Sequence, residues 1–163
     1  MGPGILVKAI LQGSFSLMVF GWSQVVMDVQ PLVTLLTGEG KLHGFTHTYL
    51  GATLIAVGSA LTGKYLAQWG LVVLSNGAQR GIGIRWRVAF LSAFIGSFSH
   101  VVLDSIMHVD VAPFVPFSQS NAFLGLVPVA ALHELCIYSG IVGAIVFFGV
   151  RLLLRRGDQG LSS

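Results

Sequence analysis

The chain has 163 residues, 54% of them hydrophobic and only 9% charged, with a mean hydropathy of +0.83, whereas soluble domains carry roughly 25% charged residues. That composition excludes a soluble globular domain and leaves an integral membrane protein of one folding unit. The net charge of +3 does not signal nucleic acid, because the basic residues are not gathered into a patch interleaved with aromatics.

Four long apolar segments are each near the ~20 residues needed to cross a bilayer, so the expected architecture is all-α, a polytopic bundle of about four transmembrane helices. The first runs from Ile5 to Val29. Its lysine and apolar run resemble a secretory signal, but the run is longer than an h-region and lacks a small-residue cleavage site, so a retained helix is expected. The second runs from Thr46 to Leu66, and Thr46 reads as its N-cap. The stretch WGLVVL, 69 to 74, permits three placements: a prolongation of the second helix, an interfacial segment or a short fifth helix. The glycine-rich SNGAQRGIGIR that follows reads as a loop. The third segment runs from Val88 to Met107 and is followed by APFVPFSQSNAF, whose prolines disfavour a helix. With Phe114, Phe117 and Phe123 that loop is expected either to anchor in the headgroup region or to cover a site as a lid. The fourth segment, Leu126 to Leu154, ends in a short polar tail, and its single cysteine, Cys136, reads as a small buried hydrophobe. Gly51, Ala52, Gly58, Gly96, Gly140 and Gly143 are small residues of the kind that permit close helix approach.

Basic residues set the expected orientation. Lys8, Lys64, Arg80, Arg85, Arg87, Arg151, Arg155 and Arg156 share one side, and only Lys41 lies opposite. By the positive-inside rule both termini are cytoplasmic, and the connections 30 to 45 and 108 to 125 face the periplasm or exterior. Trp69 and Trp86 are expected at the inner interface and Trp22 toward the outer one.

On that topology the ionisable residues converge at one depth. Asp28 closes the first helix, His43 and His47 open the second, and His100, Asp104 and His108, spaced four apart, project from one face of the third. His133 and Glu134 fall about two turns into the fourth. Charged groups inside a bilayer cost on the order of 3 kcal/mol each on insertion scales, so they face the bundle interior, pair or bind something. Imidazole plus carboxylate without thiolate is the ligand set of zinc or another divalent transition metal, manganese included, and one or two ions are expected. The candidate ligands are Asp28, His43, His47, His100, Asp104, His108 and His133, and the candidate general bases are Asp110 and Glu134. A proton pathway and a buried polar network that fixes packing are the other readings of such a constellation.

The blocks VVMDVQPL (25 to 32), HGFTHT (43 to 48) and SHVVLDSIMHVDVAPFVPF (99 to 117) resemble the LexA-regulated, YdjM-like membrane-bound metal-dependent hydrolases. The resemblance implies a helical bundle with a divalent metal site and a distant likeness to the zinc-dependent phospholipase C and nuclease fold. Carried over by position, it points first to Asp28, His47, His100 and Asp104. Two departures stand out: HGFTHT lacks the arginine often present in that block, and Gln30 stands where the family often has a second aspartate.

Two classes of function follow. One is a metal-dependent hydrolase of a lipid or lipid-linked phosphoester at the outer face of the cytoplasmic membrane. The other is a non-catalytic metal-binding protein, structural or transporting; transport is disfavoured because the inner halves of the helices carry almost no polar groups apart from Lys8 and Lys64. No nucleotide-binding loop is indicated, since GAQRGIG has no strand before it. The sequence assigns no oligomeric state.

Overall fold

The computed structural model describes residues 2–75 and 83–160, the last seven of them by backbone alone. Most of the glycine-rich loop, with Arg80, and the side chains of Arg155 and Arg156 therefore lie outside the described residues.

The first apolar run does not form one helix. It is cut at LQGSFS into α1 (Gly2–Leu11) and α2 (Leu17–Met27). Gln12 takes a left-handed conformation, φ +45°, and Ser16 caps α2 by accepting a hydrogen bond from the Val19 N–H. Lys8 Nζ donates to the Gln12 and Phe15 carbonyls at 2.7 and 2.6 Å, which ties the break between the two helices back to α1. A second break falls at Asp28, between α2 and α3 (Val29–Thr37). Pro31 explains it: the residue has no N–H, and its ring crowds the carbonyl of Met27, four residues back. Gly38, at φ +73°, ends α3. The first stretch able to cross a membrane is thus Leu17–Thr37, shifted from Ile5–Val29, and the other three are Tyr49–Leu74, Trp86–Met107 and Val129–Leu153.

The helix α4 (Tyr49–Leu74) absorbs WGLVVL. Its N-cap is Thr48, whose Oγ1 accepts from the Gly51 N–H at 3.0 Å, rather than Thr46, which sits in the preceding 3-10 turn Phe45–His47. The helix α5 (Trp86–Met107) runs back beside α4, and α6 (Val129–Gly160) carries on through what reads in sequence as a polar tail. All secondary structure among the described residues is helical.

The helices α2, α4 and α5 form the packed unit. Val19, Ala56, Ala60, Ala67, Ala89 and Ala93 make its main core, and Met27, Ala52 and Val101 a second cluster nearer the ends where the ionisable residues gather. Without water to drive association inside a bilayer, close backbone approach supplies the packing, and small residues permit it. A Cβ at Gly96 would strike Ser23 Oγ, and one at Gly143 would strike the backbone of Leu6. Gly58 faces open space and takes no part in such an approach. Trp22 Nε1 donates to Thr62 Oγ1 at 2.9 Å, halfway along α4 rather than at its Tyr49 end.

The last helix is the exception. It packs along α1, and only 6% of its apolar window is buried, against 28% to 39% for the other three. The chain between α5 and α6 is clasped over the bundle: the Tyr49 N–H donates to the Pro113 carbonyl, Asn121 Nδ2 to the Ser105 carbonyl, and the Gly125 N–H to the Ile106 carbonyl. These bonds serve the exposed ends of α4 and α5.

Candidate metal centre

Seven of the nine sequence candidates meet where α4 begins and α5 ends. Asp28, His47 and His100 form one group of mutually close ligand atoms, His43, His47 and Asp104 a second, and His43, His108 and Asp110 a third. Asp104 Oδ2 is the common point of the inner part, 3.1 Å from both His47 Nε2 and His100 Nε2. Asp28 Oδ1 lies 3.3 Å from the same His100 nitrogen.

Hydrogen bonds on the far side of each imidazole fix which nitrogen holds the proton. Gln24 Nε2 donates to the Gly96 carbonyl at 2.7 Å, so Gln24 Oε1 is the atom facing His100 Nδ1 at 2.9 Å, and Nδ1 must donate. On the other ring, Gln30 Oε1 accepts from both the N–H and the hydroxyl of Thr46. With its proton committed, Thr46 Oγ1 accepts from His47 Nδ1 at 2.9 Å. With Nδ1 donating on its far side, each ring in its neutral form presents an Nε2 lone pair to the same carboxylate oxygen. His47 Nε2 is buried and has no hydrogen-bond partner. Both Nε2 atoms face Asp104, and Asp28 joins the same two imidazoles in a second close group, so this nitrogen and oxygen donor set fits a divalent ion held by His47 and His100 with Asp104 and Asp28 beside them.

The outer part is wetter. His43 Nδ1 lies 3.0 Å from both oxygens of Asp110, and the His43 ring stacks on His108 with centroids 4.4 Å apart. Partial burial pushes the Asp110 carboxyl up, but the hydrogen bond and charge of His43 outweigh it and hold the group below the usual carboxylate range. His108 is not a third rung on the helix face: it caps α5 in an extended conformation, which turns its ring toward His43.

His133 and Glu134, which the sequence places with the other candidates, lie outside these three groups. Because α6 starts at Val129 and packs along α1, His133 is one turn in; it is exposed, with Nδ1 2.8 Å from the Val129 carbonyl, and Glu134 is exposed beside it. Sequence reading missed Gln24 and the ordering role of Gln30 and Thr46. The available signal was a polar Gln24 one turn before Asp28 in an apolar helix.

Local packing makes the arrangement possible. Gly44 leaves room for the Gln30 amide, and Gly51 lets the 3-10 turn that carries His47 lie against α4. Replacing Gln24 by leucine removes the acceptor for His100 Nδ1, and loss of such an outer partner lowers metal affinity about 10–100-fold. A zinc titration against a chelating dye reads this; unchanged affinity would show that Gln24 does not orient His100.

The family model for the YdjM inner membrane protein matches residues 13–156. No curated protein and no solved structure matches the chain.

Proposed function

The chain belongs to the YdjM inner membrane protein family, and from that premise we propose that it is a membrane-embedded metal-dependent hydrolase of a lipid or lipid-linked phosphoester, with its site at the outer face of the membrane. The observation that carries the reading is the pair of imidazoles whose Nε2 atoms share Asp104 Oδ2 at 3.1 Å. Zinc, or manganese, is the ion that suits these nitrogen and oxygen donors. Bound there, such an ion supplies Lewis acidity toward a phosphoryl oxygen and toward water.

The chain's own groups supply the rest. Gln24, Gln30 and Thr46 hold the two imidazoles in one tautomer. Asp110 pairs with His43 Nδ1 at 3.0 Å and holds that ring beside His47 and Asp104. The clasped loop after α5, with Val111 and Pro113 buried, limits water on one side.

Two observations favour hydrolysis over the alternatives. The Asp28 side chain is 63% exposed, so the cluster has an open side, whereas a structural metal site is closed. Met27, Ala52 and Val101, each fully buried, pack together next to the cluster, where a translocation path would need polar groups. The orientation follows from charge: Lys8 and Arg85 border one cleft at the Leu71 end of α4, opposite the cluster.

Zinc-loaded protein in detergent, given phosphatidic acid and other phospholipids, is expected to release phosphate or headgroup at a rate that chelation lowers at least about 100-fold and zinc restores, zinc's part in such chemistry being worth several kcal/mol. Absence of turnover by fully loaded protein across that panel, or turnover indifferent to chelation, would overturn the reading.

A further inference from the structure

A cleft of about 450 Å³ opens beside the cluster, between the α3–α4 connection and the loop after α5. Lys41, Asp110, Gln119 and Asn121 are its polar walls, and Val109, Val115 and Leu124 are among its apolar ones. Asp110 belongs to both the cleft and the His43 pair, so whatever fills the cleft lies against the metal cluster. Lys41 is the one lysine or arginine in the connections 38–48 and 108–128. Its carbonyl accepts from Thr34 Oγ1 at 3.2 Å, which ties it back to α3.

The rim of this end is apolar to a degree that water does not favour. Leu36 is 78% exposed, Val109 80% and Phe117 92%. None of the residues of α3 is buried, and its apolar face continues α2 within one membrane-crossing stretch. A surface of this kind, continuous with an apolar span and carrying Lys41 as its one lysine or arginine beside the carboxylates of Glu39 and Asp110, the latter paired with His43, matches the boundary between acyl chains and headgroups.

We infer that the Lys41 cleft is the headgroup seat for an anionic phospholipid entering from the leaflet, with its phosphate on the Lys41 ammonium and its chains along the exposed apolar faces of α3 and the loop. This rests on the hydrolase reading and narrows its substrate class to acidic phospholipids. Lys41 is a specificity residue here, and it touches none of the cluster's donors in the contacts described above.

Native mass spectrometry of the detergent-purified, zinc-loaded protein tests the inference, with dihexanoyl phosphatidic acid, dihexanoyl phosphatidylcholine and inorganic phosphate as probes. Phosphatidic acid is expected to bind wild type at least tenfold more tightly than Lys41→Gln, and Lys41→Arg is expected to recover most of the difference. Equal binding by Lys41→Gln would overturn the site. Phosphatidylcholine binding as well as phosphatidic acid would overturn the charge selection, and inorganic phosphate binding as well as the lipid would overturn entry from the leaflet. The same spectra report zinc: a Lys41→Gln protein that keeps its zinc but loses the lipid supports the cleft, whereas wild type that binds the lipid and holds no zinc strikes the hydrolase reading alone.

Discussion

Asp104→Ala is expected to release bound zinc and to lower hydrolysis by at least about 100-fold, beyond the 10–100-fold typical of losing an outer partner. Asp104 is the one donor that both imidazoles address, at 3.1 Å each, and its side chain is only 13% exposed, so no water-rich surface replaces it. The helix content of the variant should stay at the wild-type value. The variant removes a carboxylate from a crowded donor set, and the α2–α4–α5 packing beneath rests on Val19, Met27, Ala52, Ala56 and Val101 rather than on the ion. Asp104→Asn keeps the shape and one oxygen while losing the charge, and is expected to fall between wild type and alanine. Circular dichroism beside a zinc assay checks both halves. Unfolding of Asp104→Ala would make the ion a structural staple, and full zinc retention would remove Asp104 from the site.

Gly51→Ala is expected to weaken zinc binding by about 100-fold without touching any ligand. A Cβ at Gly51 would fall on the Phe45 carbonyl and against the Thr46 backbone. Such overpacking costs about 1–3 kcal/mol and is relieved by moving the lighter partner. That partner is the 3-10 turn Phe45–His47, which is held by Thr48 and by the Gln30–Thr46 bonds and carries His47 at its end. A displacement on the order of 1 Å at a working group is enough for a 10²-fold loss. Gly58→Ala, with open space around it, is the matched control and should bind zinc as wild type does. The comparison is read by the same dye titration; equal affinity in both variants would show that His47 is not positioned through this turn.

Much of the architecture is written in hydropathy, and the parts that are not share a cause. The segments that became α4, α5 and α6 are legible because a long apolar run in lipid has no choice but to close its hydrogen bonds internally as a helix. The first run misleads for the same reason: it is apolar on average from Ile5 onward, so the break signals of Gln12, Gly13, Ser14 and Ser16 are swamped, and the membrane-crossing stretch shifts toward Thr37. Pro31 is a clear signal, and the kink at Asp28 falls where its missing N–H requires.

The candidate site was legible to a similar extent. The four-residue spacing of His100 and Asp104 puts both on one helix turn, and the structure places them together. His108 follows the same spacing but lies past the last helical residue, where the spacing no longer carries directional meaning. His133 and Glu134 lie apart from the cluster because depth along a helix does not say which helices pack, and α6 packs along α1. The glutamines were missed because a neutral amide in an apolar helix gives no charge signal, although Gln24 and Gln30 decide which nitrogen of each ring faces Asp104.

The central claim is that a divalent ion is held by His47, His100, Asp104 and Asp28. Elemental analysis of the detergent-purified protein by inductively coupled plasma mass spectrometry, after zinc repletion and removal of loose metal, tests it most directly. The account predicts about one zinc or more per chain, the second ion being one that the His43–His108–Asp110 group has donors to hold. A repleted, folded protein that carries none would contradict it and leave the shared Asp104 as a hydrogen-bonding centre between His47 and His100.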